Sequence, residues 1–198
     1  MPSPITKAVL IVGGQGTRLR PLTLVRPKAT VPLLGRPLLA YELMLLSRHG
    51  VRDVILAMGY QAEAVRDALG DGSRWGVSLT YMEEGEPLGT AGAIGHVRRF
   101  LDEPFIAMNG DLVYDVDLTA VTEAHLVSGA LVTFCLRRVL DVSRFGLIEC
   151  DDRGWVRAFR EKMSVDPSGR NTVNSGLYVM SPQVLDYIPS GQRYSNET

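Results

Sequence analysis

Lys7–Val12 (KAVLIV) and Asp53–Met58 (DVILAM) carry unbroken apolar cores, without the polar alternation of a strand that is half exposed to water. Strands of this kind need cover on both faces, and the segments between them predict that cover. Pro37 opens LLAYELMLLSRH, whose apolar residues recur at helical spacing, and Gly50 is placed to end that helix. Residues 62–69 read as a short amphipathic helix, 77–82 as a third strand, 90–101 as a helix and 104–108 as a fourth strand. Asp117 is placed to cap a helix running through His125, and 131–139 reads as a further strand. This β-α-β rhythm predicts an α/β fold, with a mostly parallel sheet and helices on both faces. From about Phe145 shorter strands around turns such as DDRG predict a small mixed or antiparallel C-terminal portion. No repeat, low-complexity tract or linker interrupts the chain, so residues 1–198 read as a single domain.

Composition narrows the partners. A net charge of -1 gives no general electrostatic reason for nucleic-acid binding, so any phosphate site must be local. The apolar runs are far too short for a membrane span, and MPSPITKAVLIVGG lacks the length and cleavage pattern of a signal peptide. Cys135 and Cys150 have no metal-ligand spacing, which predicts a reduced cytoplasmic protein with buried thiols.

In open α/β sheets, ligands sit beyond the carboxyl ends of the strands. That rule selects residues 13–20, 83–92 and 109–111. The first belongs to VGGQGTRLRPLTLVRPK, residues 12–28, where Gly13, Gly14 and Gly16 let backbone N–H groups approach an anion and Arg18 and Arg20 add charge. Glycines alone would equally serve an ordinary turn; the arginines and Lys28 favour phosphate. Leu19 stands where G-x-G-x-x-G needs its last glycine, and no G-K-[ST] follows, so neither the dinucleotide fingerprint nor a Walker loop is present. Lysine itself is scarce: eighteen arginines accompany only Lys7, Lys28 and Lys162. A lysine kept in such a chain suits a crowded site, where a thin stem and point charge reach one phosphate oxygen.

GGQGTRLRPLT followed by RPK resembles the signature of the sugar-1-phosphate nucleotidylyltransferases, the nucleoside-diphosphate-sugar pyrophosphorylases. The later segments EEGEPLGTAGAIG, FIAMNGDLVYDVDL, SRFGLIEC, AFREKM and NTVNSGLYVMSP resemble that family in the same order. The resemblance implies a Rossmann-like nucleotide-diphospho-sugar transferase fold, with a nucleoside triphosphate and a sugar 1-phosphate as partners and Mg2+ as cofactor. A homo-oligomer stays open. It also implies roles. Gly13, Gly14, Gly16, Thr17, Glu84, Gly89 and Thr90 would bind nucleotide; Arg18, Lys28 and Asp111 would serve catalysis, with Asp111 holding the metal; Gly146, Glu161, Lys162 and Asn174 would bind the sugar phosphate.

Each segment also has a plainer reading. PLGTAG would serve a helix cap, NGD a turn, Lys162 a solvated surface charge and NSG a strand irregularity. On the family reading, Glu84 meets the base edge, with Glu83 and Glu86 as close rivals. A carboxylate only accepts hydrogen bonds, so it suits the adjacent N1–H and N2–H2 donors of guanine better than uracil or thymine. Within the family VGGQGTRLRPLT, MGYQAEAV, EPLGTAGAI and DVSRFG are most similar to enzymes that make GDP-mannose or GDP-manno-heptose. No catalytic part falls to His49, His96 or His125, because a sugar phosphate is already ionised.

Three departures stand out: Ala29-Thr30 after Lys28, Met163 after Lys162, and the family's second metal aspartate, whose segment is not found within residues 1–198. On the resemblance the domain therefore lacks its C-terminal end. The last departure keeps a second class open, a catalytically weak nucleotide-sugar-binding subunit of the same fold. A dinucleotide-dependent dehydrogenase is opposed by the failed glycine fingerprint.

Overall fold

The computed structural model describes residues 5–14, 16–59, 61–143, 145–160, 171–189 and 194. The described strands and α-helices follow the order β1 (Lys7–Val12), β2 (Pro32–Leu33), β3 (Arg36–Pro37), α1 (Leu38–Arg48), β4 (Asp53–Met58), α2 (Ala62–Leu69), β5 (Ser78–Glu83), α3 (Gly89–His96), β6 (Phe105–Asn109), α4 (Leu118–Ser128), β7 (Val132–Arg138), β8 (Leu147–Cys150), β9 (Val156–Arg160) and β10 (Thr172–Met180).

The apolar runs are buried in the centre of the sheet. Strands β5, β4, β1 and β6 lie side by side and parallel, with Leu10 opposite Leu56 on one side and Met108 on the other. Alternate residues of β1 enter opposite layers. Ala8, Leu10 and Val12 pack with Leu39, Leu43 and Leu46 of α1 and Val65 and Leu69 of α2, whereas Val9 packs with Ala91 and Ile94 of α3. Helices thus cover both faces, as the unbroken apolar runs require.

Lys7, the lysine without a motif, stands at the entry of β1. Its ammonium donates to Phe100 O at 2.6 Å and pairs with Asp102 at 2.8 Å, tying that entry to the segment before β6.

The antiparallel portion begins earlier than expected. The predicted strand at 131–139 forms as β7, but it runs antiparallel to β10 instead of continuing the parallel rhythm. β10 also runs antiparallel to β6 and β8, and β9 pairs antiparallel with β8. Phe134 of β7 meets Tyr178 of β10 and Phe159 of β9 edge to face, each at 5.5 Å between ring centroids, a favoured aromatic geometry. The helix expected at 90–101 is also shorter: α3 ends at His96 and a 3-10 turn, Arg98–Phe100, follows. Cys135 and Cys150 form no disulfide with each other and are half-buried rather than fully buried.

Asp117 caps α4 as expected, its Oδ1 accepting from Ala120 N at 3.1 Å. Farther along that helix His125 is 2 % exposed, with its ring nitrogens 2.9 Å from Thr133 Oγ1 and 3.0 Å from Ser181 Oγ. Burial holds its pKa below the ordinary value. Below a pH of about 6.5 the unfolded chain takes up a proton that the folded imidazole resists, so this contribution to stability is complete above that pH and lost as pH falls. Denaturant titrations at pH 7.5 and 5.5 should therefore show a smaller acid-induced loss of stability in His125→Gln than in the unaltered chain. Equal losses would mean that His125 is not responsible.

Candidate active site

At the carboxyl edge of the parallel strands a cavity of about 300 Å3 opens. Its lining combines Val12, Gly13 and Gly14 at the end of β1, Pro27 to Ala29, Glu84 to Thr90 in part, and Asn109 to Asp111 at the end of β6. These are the three segments selected by the strand-end rule, together with Lys28. Of the proposed residues, Gly13, Gly14, Lys28, Glu84, Gly89, Thr90 and Asp111 line the cavity.

Local folding brings the glycine-rich loop after β1 round. Gly16 has φ of 62°, in the left-handed region, and a Cβ there would lie 3.0 Å from Thr23 Cγ2 and 3.1 Å from Lys28 Cβ. The buried Thr23 donates its hydroxyl to Gly16 O at 2.8 Å, so the loop folds back on the segment that carries Lys28. Gly16, Thr17 and Arg18 lie beyond the cavity lining; Thr17 and Arg18 are exposed in a 3-10 turn, Thr17–Leu19.

Lys28 and Asp111, 83 residues apart, form an ion pair at 2.8 Å between Nζ and Oδ2. Asp111 is presented by the turn after β6, which begins at the buried Gly110, whose N–H continues the sheet by donating to Ile11 O at 2.9 Å. A Cβ on Gly110 would lie 2.8 Å from Val12 Cγ2, so the turn packs closely on β1.

The three glutamates separate cleanly. Glu83 pairs with Arg66 of α2 at 2.7 Å, and Glu86 is exposed and outside the lining. Glu84 lines the cavity. Its Oε2 accepts from Leu88 N at 3.1 Å, while its Oε1 is buried without a hydrogen-bond partner among the described residues. A buried carboxylate oxygen in that condition favours a ligand that brings its own donor.

Gly146 is exposed just before β8, and Asn174 lies within β10; neither lines this cavity. Asn174 marks an irregularity in the β10 ladder, where the register against β7 shifts between Asn174 and Tyr178. Its amide is already used: Nδ2 donates to Tyr178 Oη at 2.7 Å, and Oδ1 accepts from Gly176 N at 2.9 Å. Glu161 and Lys162 lie outside the described residues.

Two polar residues of this region escape a reading by motif. Asn109 lines the cavity and keeps Oδ1 buried without a partner among the described residues. Glu42 of α1 is buried beneath the same end of the site, its pKa raised by burial with Asp111 and Lys28 both acting on it. Its signal was an acidic residue on the apolar stripe of a helix.

A hard divalent cation fits this donor set only in a particular way. Asp111 offers an exposed carboxylate, and no group of three or more His, Cys, Asp or Glu side chains suited to a metal occurs among the described residues. One carboxylate completed by substrate oxygens is an ordinary arrangement for Mg2+.

A model of the nucleotidyl transferase family matches residues 7–198. The chain belongs to that family. Among its relatives, a mannose-1-phosphate guanylyltransferase of Mycobacterium tuberculosis is 38% identical over 96% of this chain and 53% of its own length. A UTP–glucose-1-phosphate uridylyltransferase of Synechocystis is 35% identical over 95% of this chain and 52% of the relative. The chain spans about half the length of the curated relatives it matches. Among solved structures, HddC from Yersinia pseudotuberculosis, complexed with GMP-PN, is similar with a TM-score of 0.81 and 30% identity, covering 98% of this chain and 84% of that one. A putative glucose-1-phosphate thymidylyltransferase from Bacillus anthracis aligns with a TM-score of 0.83 and 25% identity, covering 91% and 73%. The α/β architecture described above is therefore that of nucleotidyl transferases of the nucleotide-diphospho-sugar type. No helix among the described residues is long and apolar enough to cross a membrane.

Proposed function

We propose that this chain transfers a nucleotidyl group from a nucleoside triphosphate, preferably GTP, to a manno-configured hexose or heptose 1-phosphate. One observation carries the reading: Lys28, Asp111 and Glu84 line the same cavity at the carboxyl edge of the parallel strands.

In the proposed reaction an oxygen of the sugar phosphate attacks the α-phosphorus, a new P–O bond forms, and the bond to the pyrophosphate oxygen breaks. The nucleophile is already ionised, so no base is required; the obstacle is repulsion between anions. Fixed cations and backbone N–H groups in an organised site lower it. Lys28 neutralises the α-phosphate as negative charge grows, and Arg18 and the backbone amides of Gly13, Gly14, Gly16 and Thr17 hold the β and γ phosphates. Asp111 would hold a divalent cation, Mg2+ in our reading, whose chemistry is to draw charge from phosphate oxygens. Glu161 and Lys162 are assigned to the sugar phosphate together with Gly146 and Asn174. Because Asn174 already bonds Tyr178 and Gly176, it serves that part only by exchanging one of those partners.

The preference for guanine rests on Glu84. Its Oε1, without a partner among the described residues, is an acceptor, and guanine presents two adjacent donors where uracil presents one donor between two acceptors. Relatives named as guanylyltransferases, and the GMP-PN complex of HddC, agree with that choice; the relative from Synechocystis is named for UTP.

Pyrophosphate release from the full-length gene product, measured across triphosphates and sugar 1-phosphates, tests the reading. GTP with a manno-configured sugar phosphate should give the highest rate. No release with any pair, alongside measurable GDP-sugar binding, would assign the chain as a binding subunit instead. Glu84→Gln supplies an amide that both donates and accepts, and should shrink the advantage of GTP over UTP by about 10-fold or more, since a hydrogen bond to a charged group carries about 1.5–3 kcal/mol. An unchanged base profile would remove Glu84 from that role.

A further inference from the structure

Helix α1 buries an acid within its apolar stripe. Leu39, Leu43 and Leu46 recur at helical spacing and are fully buried, and Glu42 beside them is only 1 % exposed. Burying a carboxyl group is costly unless its oxygens find partners, and only one does. Oε1 accepts from the backbone N–H of Leu112 at 3.4 Å; Oε2 is buried with no hydrogen-bond partner among the described residues. Burial lifts the pKa of this acid well above the usual carboxylate range, Asp111 adds to the rise, and Lys28 opposes it.

Packing gives no reason for an acid here. Leucine or methionine would fill the space, and replacing buried polar groups with apolar ones of similar shape is often neutral or stabilising. The other end of the hydrogen bond supplies a reason. Leu112 directly follows Asp111, and residues 111–113 are all exposed, so past the buried Gly110 apolar packing does little to fix the part of the turn that carries Asp111. The hydrogen bond from Leu112 ties this turn to a rigid helix.

We propose that Glu42 is a positioning residue: through the N–H of Leu112 it fixes the turn that presents Asp111 to the cation-and-phosphate end of the cavity. The proposal rests on the assignment of Asp111 as the cation-holding carboxylate. Tyr114 belongs to the same layer, its hydroxyl donating to Gly176 O at 2.9 Å, its pKa raised by burial and by the nearby Glu42 and Asp111.

The test is binding of a fluorescent GTP analogue to the full chain, with Mg2+ and with EDTA, for the unaltered protein, Glu42→Gln and Glu42→Met. The unaltered protein should bind more tightly with Mg2+. Glu42→Met should cut that Mg2+ enhancement about 10-fold while leaving affinity in EDTA within about twofold, as expected when a group supporting a metal ligand is lost. Glu42→Gln, whose amide oxygen still accepts from Leu112, should keep the enhancement. A wild-type enhancement in Glu42→Met, or equal weakening with and without Mg2+, would overturn the proposal; so would a folded Glu42→Gln that loses the enhancement. Should Glu42→Met fail to fold, the Gln variant decides. Absence of GTP binding by the unaltered chain would instead overturn the functional reading, and the proposal with it.

Discussion

Lys28→Ala is expected to slow pyrophosphate release by about 10²–10³-fold, the usual cost of removing one organised donor from charge that builds in a transition state. Among the described residues lining the cavity Lys28 is the only cation, where Glu84 and Asp111 both carry carboxylates. Without it the described lining holds two acids and no fixed positive charge, which opposes a triphosphate as well as the charge that develops during transfer. Folding should survive. The Lys28–Asp111 pair is open to solvent, with side-chain exposures of 22% and 49%, and such pairs contribute at most about 1 kcal/mol. Thermal melting alongside steady-state kinetics separates the two effects. Lys28→Arg should recover little, because a planar fork replaces a point charge on a thin stem. Near-normal turnover in Lys28→Ala would end its assignment to the α-phosphate.

The carboxyl-edge rule selected segments that the fold brings to one cavity because it depends on topology rather than on any one residue. KAVLIV and DVILAM could be read as strands because each is apolar without alternation, and the exits selected from the sequence, those after β1, β5 and β6, are the ones that line one cavity. The direction of β7 was not readable in that way. A helix separates β6 from β7, which is also the signature of a parallel crossover, while the partner that decides the direction, β10, begins 34 residues after β7 ends, Thr172 against Arg138. Local sequence carries no register for a pairing of that span.

The site divides along the same line. Residues that reach the cavity as part of a loop, such as Gly13, Gly14 and Lys28, were visible as a motif. Glu84 was one of three similar glutamates until Arg66 took Glu83 and the lining excluded Glu86. Glu42 lay within a helical stripe, where an acid is easily taken for a surface residue; only its burial and its bond to Leu112 reveal it. Lys7 shows the opposite hazard. Its rarity invites a chemical role, yet its partners are a carbonyl and a carboxylate that fasten the entry of β1.

Asp111→Asn separates the two members of the central ion pair. The amide keeps the size of the side chain and an oxygen that can accept from Lys28, but it lacks the charge expected to hold a divalent cation. Turnover at moderate Mg2+ should fall by about 10²-fold or more, since charge stabilisation by a bound metal is worth several kcal/mol. Unlike the defect in Lys28→Ala, this loss should recede as Mg2+ is raised, because the cation retains its substrate oxygens and lacks only one protein ligand. Combining Lys28→Ala with Asp111→Asn should cost much less than the product of the two single losses, as happens when residues act as a unit on one charge. Stability gives an independent check. The solvent-open Lys28–Asp111 pair contributes at most about 1 kcal/mol, so neutralising Asp111 should leave the denaturation midpoint close to that of the unaltered chain. An Asp111→Asn protein with unaltered turnover and unaltered Mg2+ dependence would show that the cation is held elsewhere, and the cavity would then be a nucleotide site in which Asp111 only positions Lys28.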